Sequence, residues 1–291
     1  MTRAAFRSLL VAILVLHGGA GCALAPPGEP PLEQDAAYAR TPGDTLRYHG
    51  ISTSYHESDL GAMQRSGRTR TVREARTAVA FTGGDTARAW IESYHIQTSA
   101  EVGGTQNAGP EVTMLPFGLT LGALGDEETL STPDFPQYWS GLKSYFTNFF
   151  PRLPGGPLHL GRTWGDTIIT DLSTEHFRGA QTRIIRYRVT GQERIRGVPV
   201  VVVAFDSYLE GRLDQRNPPD PITMPFIRPI VEKTEVEEHG HIYFAPRTGR
   251  LVRRTRQGVE RRASSSPVNV EGMTYTTEYS STLELLPDRR R

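Results

Sequence analysis

Apolar and charged residues alternate from Gln181 to Val189, with Ile185, Tyr187 and Val189 on one side and Arg186 and Arg188 on the other. A period of two is that of a strand with one buried face. Val198 to Phe205 is apolar on both sides and predicts a strand covered on both faces. Between them, Gln192-Glu193-Arg194 sits between Gly191 and Gly197 and predicts a hairpin turn or bulge near Gly197. Near the end, Met273, Tyr275, Thr277, Tyr279, Leu283 and Leu285 fall on alternate positions against Thr274, Thr276 and Glu278, the pattern of a long antiparallel strand with one wet face.

The same grammar appears earlier. Thr71 to Phe81 and Thr86 to Gln97 read as strands joined through Gly83-Gly84-Asp85, residues that tolerate positive φ. Tyr243-Phe244 and Leu251-Val252 flank Pro246-Arg247-Thr248-Gly249 in the same way. The likeness of these hairpins fits either a duplicated β unit or turn chemistry reached twice.

One segment breaks the period. Between Pro136 and Pro151, Tyr138, Trp139, Leu142, Tyr145, Phe146, Phe149 and Phe150 recur at helical spacing, with proline at each end. They predict a short amphipathic aromatic helix over 136–150, about 20 Å long. Its aromatic stripe packs against a sheet or lines an apolar cavity. The expected fold is mainly β, a β-rich α+β arrangement of curved antiparallel sheets with this one helix. The expected body is 44–288, with possible halves 44–135 and 159–288 joined by the helical segment.

The N-terminus has a different logic. Arg3 and Arg7 precede an apolar run from Leu9 to Leu16, then Gly18-Gly19-Ala20-Gly21 leads to Cys22, the only cysteine. This is the layout of an export signal over 1–21. Gly19-Ala20-Gly21-Cys22 resembles a lipobox, which implies lipid attachment at Cys22 and anchoring to a membrane. Ala23 in place of Asp after the cysteine implies, by the same resemblance, sorting to the outer membrane. From 22 to 43 the chain is rich in proline, including Pro26-Pro27-Gly28 and Pro30-Pro31, and is expected to form a tether.

Composition narrows the function. Removing the leader leaves roughly 270 residues, ample for a core, and no second apolar run approaches the roughly 20 residues of a spanning helix. Loss of Arg3 and Arg7 takes the net charge from +1 to −1, which argues against nucleic acid as a partner. Arg247, Arg250, Arg253, Arg254 and Arg256 crowd one stretch, as a solvated strand face does.

Candidate chemistry is sparse. The chain contains no Gly-x-Ser-x-Gly, no phosphate loop and no His-Glu-x-x-His, so no catalytic residue and no cofactor is assigned. In Glu237-Glu238-His239-Gly240-His241, strand periodicity puts Glu237, His239 and His241 on one face. Two imidazoles and a carboxylate can ligate zinc, but a polar strand face has this spacing too, and no metal is assigned. His56, His95, His159 and His176 stand apart, and pairing Asp166, Asp171 and Glu175 as glycosidase carboxylates is arbitrary. The Pro-rich loop from Asn217 to Pro229 carries Met224, Phe226 and Ile227 and reads as a loop packed over the sheet, with partner contact as the alternative.

Leu153-Pro154-Gly155-Gly156-Pro157, followed by Gly161-Arg162-Thr163-Trp164, resembles an uncharacterised family of bacterial lipoproteins carried as a domain of unknown function. The likeness continues through Tyr187-Arg188-Val189, Gly197-Val198-Pro199-Val200, Gly240 to Phe244, Gly249-Arg250-Leu251 and Thr282 to Leu286. It implies an envelope lipoprotein and supplies no catalytic residues. At fold level the chain is also similar to lipoprotein-localisation factors, in which a curved sheet encloses an apolar cavity around a helix. The expectation is a non-enzymatic, lipid-anchored envelope protein. It binds a lipid or other apolar ligand at Tyr138, Trp139, Leu142, Phe146 and Phe149, or serves envelope assembly through protein contacts.

Overall fold

A computed structural model describes residues 35–59, 67–100, 104–108, 117–125, 127–129, 149–173, 177–215, 231–266 and 269–287. Every element among them is a strand: β1 (Thr45–Asp59), β2 (Gly67–Gly83), β3 (Thr86–Ala100), β4 (Gly104–Ala108), β5 (Phe117–Leu121), β6 (Glu127–Thr129), β7 (Thr163–Asp171), β8 (Phe177–Ile195), β9 (Val198–Gln215), β10 (Val231–Ala245), β11 (Arg250–Ser266) and β12 (Asn269–Leu285). They form one sheet in the order β6-β5-β3-β2-β1-β12-β11-β10-β9-β8-β7, with β4 paired to β3. All pairings are antiparallel, as the alternation predicts.

The expected hairpins are present. β8 and β9 meet at a two-residue turn in which Arg196 and Gly197 have φ of 51° and 81°. Positive φ at both central positions is the turn whose twist matches that of the flanking strands. β2 and β3 join through Gly83 and Gly84, both at positive φ. At the β10–β11 turn, a side chain on Gly249 (φ 59°) would run into the backbone of Ala37 and Ala39.

The two ends of the body meet at the sheet centre, where β12 pairs with β1 from Tyr48↔Leu285 to Asp59↔Thr274. The middle of the chain leaves from β6 and re-enters at β7 on the opposite edge. Residues 149–158, on the way, pack on the apolar end of the sheet: the Phe149 ring lies edge-on to Tyr48 at 5.2 Å, and Phe150 lies edge-on to Tyr38 at 5.4 Å.

One face, here called inner, is the more buried along the whole strand length. On β1 the even positions Leu46 to His56 are buried or half-buried while Arg47, Ile51, Tyr55 and Glu57 are exposed. At one end this face carries the core, including Tyr48, Val79, Phe149, Phe150, Tyr187, Val203 and Phe244. Register shifts at Arg76/Thr77, Phe81/Gly83, Val189/Gly191 and Tyr243/Phe244 concentrate at that end. Bulges bend strands, which curls the sheet around the core. A small second cluster of Ile195, Val200, Ala245 and Val252 lies on the outer face, so the apolar run at the start of β9 is buried on both sides.

Three expectations need restatement. The helix over 136–150 lies outside the described residues except for Phe149 and Phe150, which form a bend, and no helix occurs among the described residues. Of the tether expected over 22–43, only 35–43 is described, and from Asp35 on the chain is docked: Asp35 bridges Pro157, Ala36 and Tyr38 are buried, and Tyr38 Oη donates to Pro151 O at 2.7 Å. Burying the Tyr38 ring offsets the entropy of ordering that stretch. Residues 1–34, with Cys22, and the loop from Asn217 to Pro229 lie outside the described residues.

Candidate functional site

The inner face beyond the core forms a trough with two unlike walls. Every strand pair in extensive contact is a pair of sheet neighbours, so among the described residues no second sheet covers it. On the β7–β10 side the wall is apolar, built from Ile168, Ile185, Leu209 and Val236. On the β12–β2 side it carries hydroxyls and rings: Ser54, Thr71, Tyr275, Thr277 and Tyr279. Leu209, Ser207, Val236 and Ser54 are only 4–8% exposed. His56 stacks on Tyr275 at 5.6 Å and its Nδ1 lies 3.0 Å from Thr277 Oγ1.

Where the walls meet lies Glu238, its side chain 3% exposed. Register places it between Ser207 on β9 and Gly258 on β11. Gly258 leaves room for Tyr279 to reach across β11: a Cβ there would come within 2.9 Å of Tyr279 Oη. Tyr279 Oη donates to Glu238 Oε2 at 2.7 Å. Arg183, one row toward the trough mouth, lies 3.5 Å from Oε1, and Arg256, one row toward the core, lies 3.6 Å from Oε2. Burial raises the Glu238 pKa, but Arg256, Arg183, the Tyr279 hydrogen bond and Arg254 outweigh it and hold it below the ordinary value. Glu238 is therefore ionised in a buried place, and burial foremost, then the charge and hydrogen bond of Glu238, push the Tyr279 phenol upward against the pull of Arg256 and Arg183.

Sequence reasoning passed over this cluster. The arginines of 247–256 read as a solvated face, yet alternation divides them. Arg253 lies on the outer face and pairs with Glu284, while Arg254 is 6% exposed and donates to Phe149 O at 3.3 Å. A signal was available, since Arg254 and Arg256 share parity with Glu238 once the β10–β11 hairpin is registered.

Glu237, His239 and His241 do share the outer face, as predicted. His239 and His241 line an outer groove of about 570 Å³ with Ile51, Thr53, Thr255 and Gln257. His239 Nε2 lies 2.7 Å from Gln257 Nε2, and Glu237 is drawn off to Arg261. Among the described residues no group of three His, Cys, Asp or Glu stands ready for a metal. Asp166 accepts from Arg152 and from the Thr167 amide, whereas Asp171 accepts from the Ser173 amide, so these carboxylates do not converge. His95 and His159 are exposed. Trp164 stacks on Tyr187 at 5.1 Å and donates to Arg152 O, a packing role. Of the predicted ligand-binding residues, Phe149 is 1% exposed within the core, and Tyr138, Trp139, Leu142 and Phe146 lie outside the described residues. No described helix is long and apolar enough to cross a membrane.

No family model matches the chain, and no curated protein matches it. Among solved structures, it is similar to one reporting lipid–protein interactions in lipovitellin, with a TM-score of 0.40, 12% identity and 87% of this chain covered. The chain spans about a quarter of that protein, 26% of its length. It is also similar to Ail, the attachment invasion locus protein of Yersinia pestis, with a TM-score of 0.17 and 6% identity over 84% of this chain and 100% of that one. A DUF1329 family protein from Desulfovibrio piger gives a TM-score of 0.15 and 10% identity over 83% of this chain and 87% of that one. At such scores these likenesses assign the chain neither a family nor a function.

Proposed function

We propose that the protein is a non-enzymatic envelope lipoprotein, anchored through lipid on Cys22 to the outer membrane, that binds a lipid or other apolar ligand in its trough. The observation that carries the binding reading is the pairing of an apolar wall, Ile168, Ile185, Leu209 and Val236, with a hydroxyl-bearing wall on the same face of the sheet. Concave, largely apolar sites with a few placed polar groups are where small ligands bind. Tyr138, Trp139, Leu142 and Phe146 enter the proposal from their spacing in the sequence. The anchor enters from the leader pattern ending at Cys22.

Solvent extraction of the purified mature protein, followed by mass spectrometry, tests the binding reading. The expected result is a lipid at one per chain; an empty extract, with added lipid also failing to bind, overturns it. Cys22→Ala is expected to release the protein from membranes, and retention there would overturn the anchor.

A second reading, envelope assembly through protein contacts, is favoured by one feature of the outer face. Ile169, Ile184 and Tyr208 are 73%, 46% and 42% exposed beside β7, the last strand of the sheet path. Among the described residues β7 pairs with β8 alone, and an apolar patch at such an edge invites strand addition. Ile169→Lys with Ile184→Lys is expected to abolish crosslinking to such a partner while leaving lipid binding intact.

A further inference from the structure

We propose that the seam formed by Arg183, Ser207, Glu238 and Arg256 binds the anionic head group, phosphate or carboxylate, of an amphiphile whose chain lies on the apolar wall. The inference rests on the ligand-binding reading above and names the class of ligand.

Charge is the first argument. Two guanidiniums, those of Arg183 and Arg256, lie against one buried carboxylate, Glu238. The next carboxylate along β11, Glu260, is taken up by Arg262 through a close Nε contact. Among the described residues the seam therefore carries more guanidiniums than carboxylates, on arginine side chains only 18% and 26% exposed, and an unmatched charge partly withdrawn from water favours a counter-charge.

Distance is the second. Arg183 and Arg256 approach Glu238 at 3.5 and 3.6 Å, longer than the roughly 2.7–2.9 Å of a charge-assisted hydrogen bond. Both are held near the carboxylate without being saturated by it. Arg256 is preset for a ligand: its Nε donates to Ser281 Oγ at 2.9 Å and its guanidinium lies over the Tyr279 ring at 6.0 Å. A planar fork held in this way matches a carboxylate or phosphate edge.

The third argument is independent of charge. Ser207 is 8% exposed, stands directly beside Glu238 in the register and has a buried Oγ with no hydrogen-bond partner among the described residues. An unsatisfied buried hydroxyl costs stability, and a head-group oxygen between Arg183 and Arg256 would complete it. Ile185 flanks Ser207 on the far side and Leu209 follows on β9, so the apolar wall starts where the polar seam ends.

Calorimetry on the mature protein tests this with dodecyl phosphate, dodecanol and inorganic phosphate, each amphiphile below its micelle concentration. Dodecyl phosphate is expected to bind one per chain, at least roughly tenfold tighter than dodecanol, an increment typical of a charge-assisted contact. Arg183→Gln and Arg256→Gln are expected to close that gap, and Arg256→Lys to preserve part of it. Equal binding of dodecyl phosphate and dodecanol overturns the head-group site and leaves the apolar-ligand reading standing. Inorganic phosphate binding as tightly as dodecyl phosphate overturns it in favour of a free-anion site, and failure of both amphiphiles overturns both readings. If the Gln variants do not fold, Ser207→Ala decides: it removes no charge, and it is expected to weaken dodecyl phosphate roughly threefold or more without affecting dodecanol. Unchanged dodecyl phosphate binding in that variant overturns the proposal.

Discussion

Tyr279 reaches across β11 to donate a 2.7 Å hydrogen bond to Glu238, over the backbone of Gly258. Through that bond β12 is tied to β10, two strands away, and the phenol helps hold a carboxylate in its charged form.

Removing the charge is expected to be costly. Glu238→Gln leaves Arg183, Arg254 and Arg256 without their anion and is expected to lower unfolding free energy by about 3 kcal/mol, the usual effect of breaking a buried ion pair. Urea titration measures it. Because the Glu238 pKa is depressed in the folded state, its stabilisation is present above the unfolded carboxylate value and is lost as pH falls through the folded one. The gap between wild type and Glu238→Gln should therefore narrow on acidification below the ordinary carboxylate range. A gap independent of pH would show that Glu238 is not the charged partner.

Alkaline titration reads two phenols. Burial foremost raises the pKa of Tyr48, and burial with Glu238 raises that of Tyr279, above the ordinary value of 10.0. Both remain protonated in the fold when exposed tyrosines ionise. Their contribution is complete below the unfolded value and declines as pH rises beyond it. Absorbance at the phenolate band is expected to show that the number of tyrosines ionising only with unfolding falls by one in Tyr48→Phe and by one in Tyr279→Phe.

Tyr48→Phe has the opposite sign from most core substitutions. The Tyr48 ring is fully buried against Phe149 and Phe150, but its hydroxyl takes no hydrogen bond among the described residues. Deleting that oxygen is expected to leave stability unchanged or raise it by up to about 1 kcal/mol, since an unsatisfied buried hydroxyl is a cost. Thermal unfolding checks the direction.

Phe149→Ala separates core from ligand contact at that position. With its ring 1% exposed and edge-on to Tyr48 and Phe150, truncation is expected to cost about 3–5 kcal/mol through lost burial and a cavity. A loss under about 1 kcal/mol with impaired lipid binding would make Phe149 a ligand contact instead.

Several parts of this architecture were legible as sequence. The alternation at Gln181 to Val189 and at Met273 to Leu285 named the correct inner faces of β8 and β12, and the glycines at 83, 84, 197 and 249 marked three hairpins, because strand period and positive φ are local properties. The docking of Asp35 to Tyr38 was not legible: a proline-rich stretch with one aromatic ring does not announce a distant acceptor such as Pro151 O.

By itself, then, the sequence determined much of β2, β3, β8, β9 and β12, the inner faces of β8 and β12, and three of the turns between strands. Only the tertiary structure decided that β12 closes on β1 and that Arg183, Ser207, Glu238, Arg256 and Tyr279 converge in one seam. Local periodicity says which residues share a face. It does not give the register between strands that brings residues far apart in the chain together, and that register decides whether an arginine on a shared face meets water or a buried carboxylate.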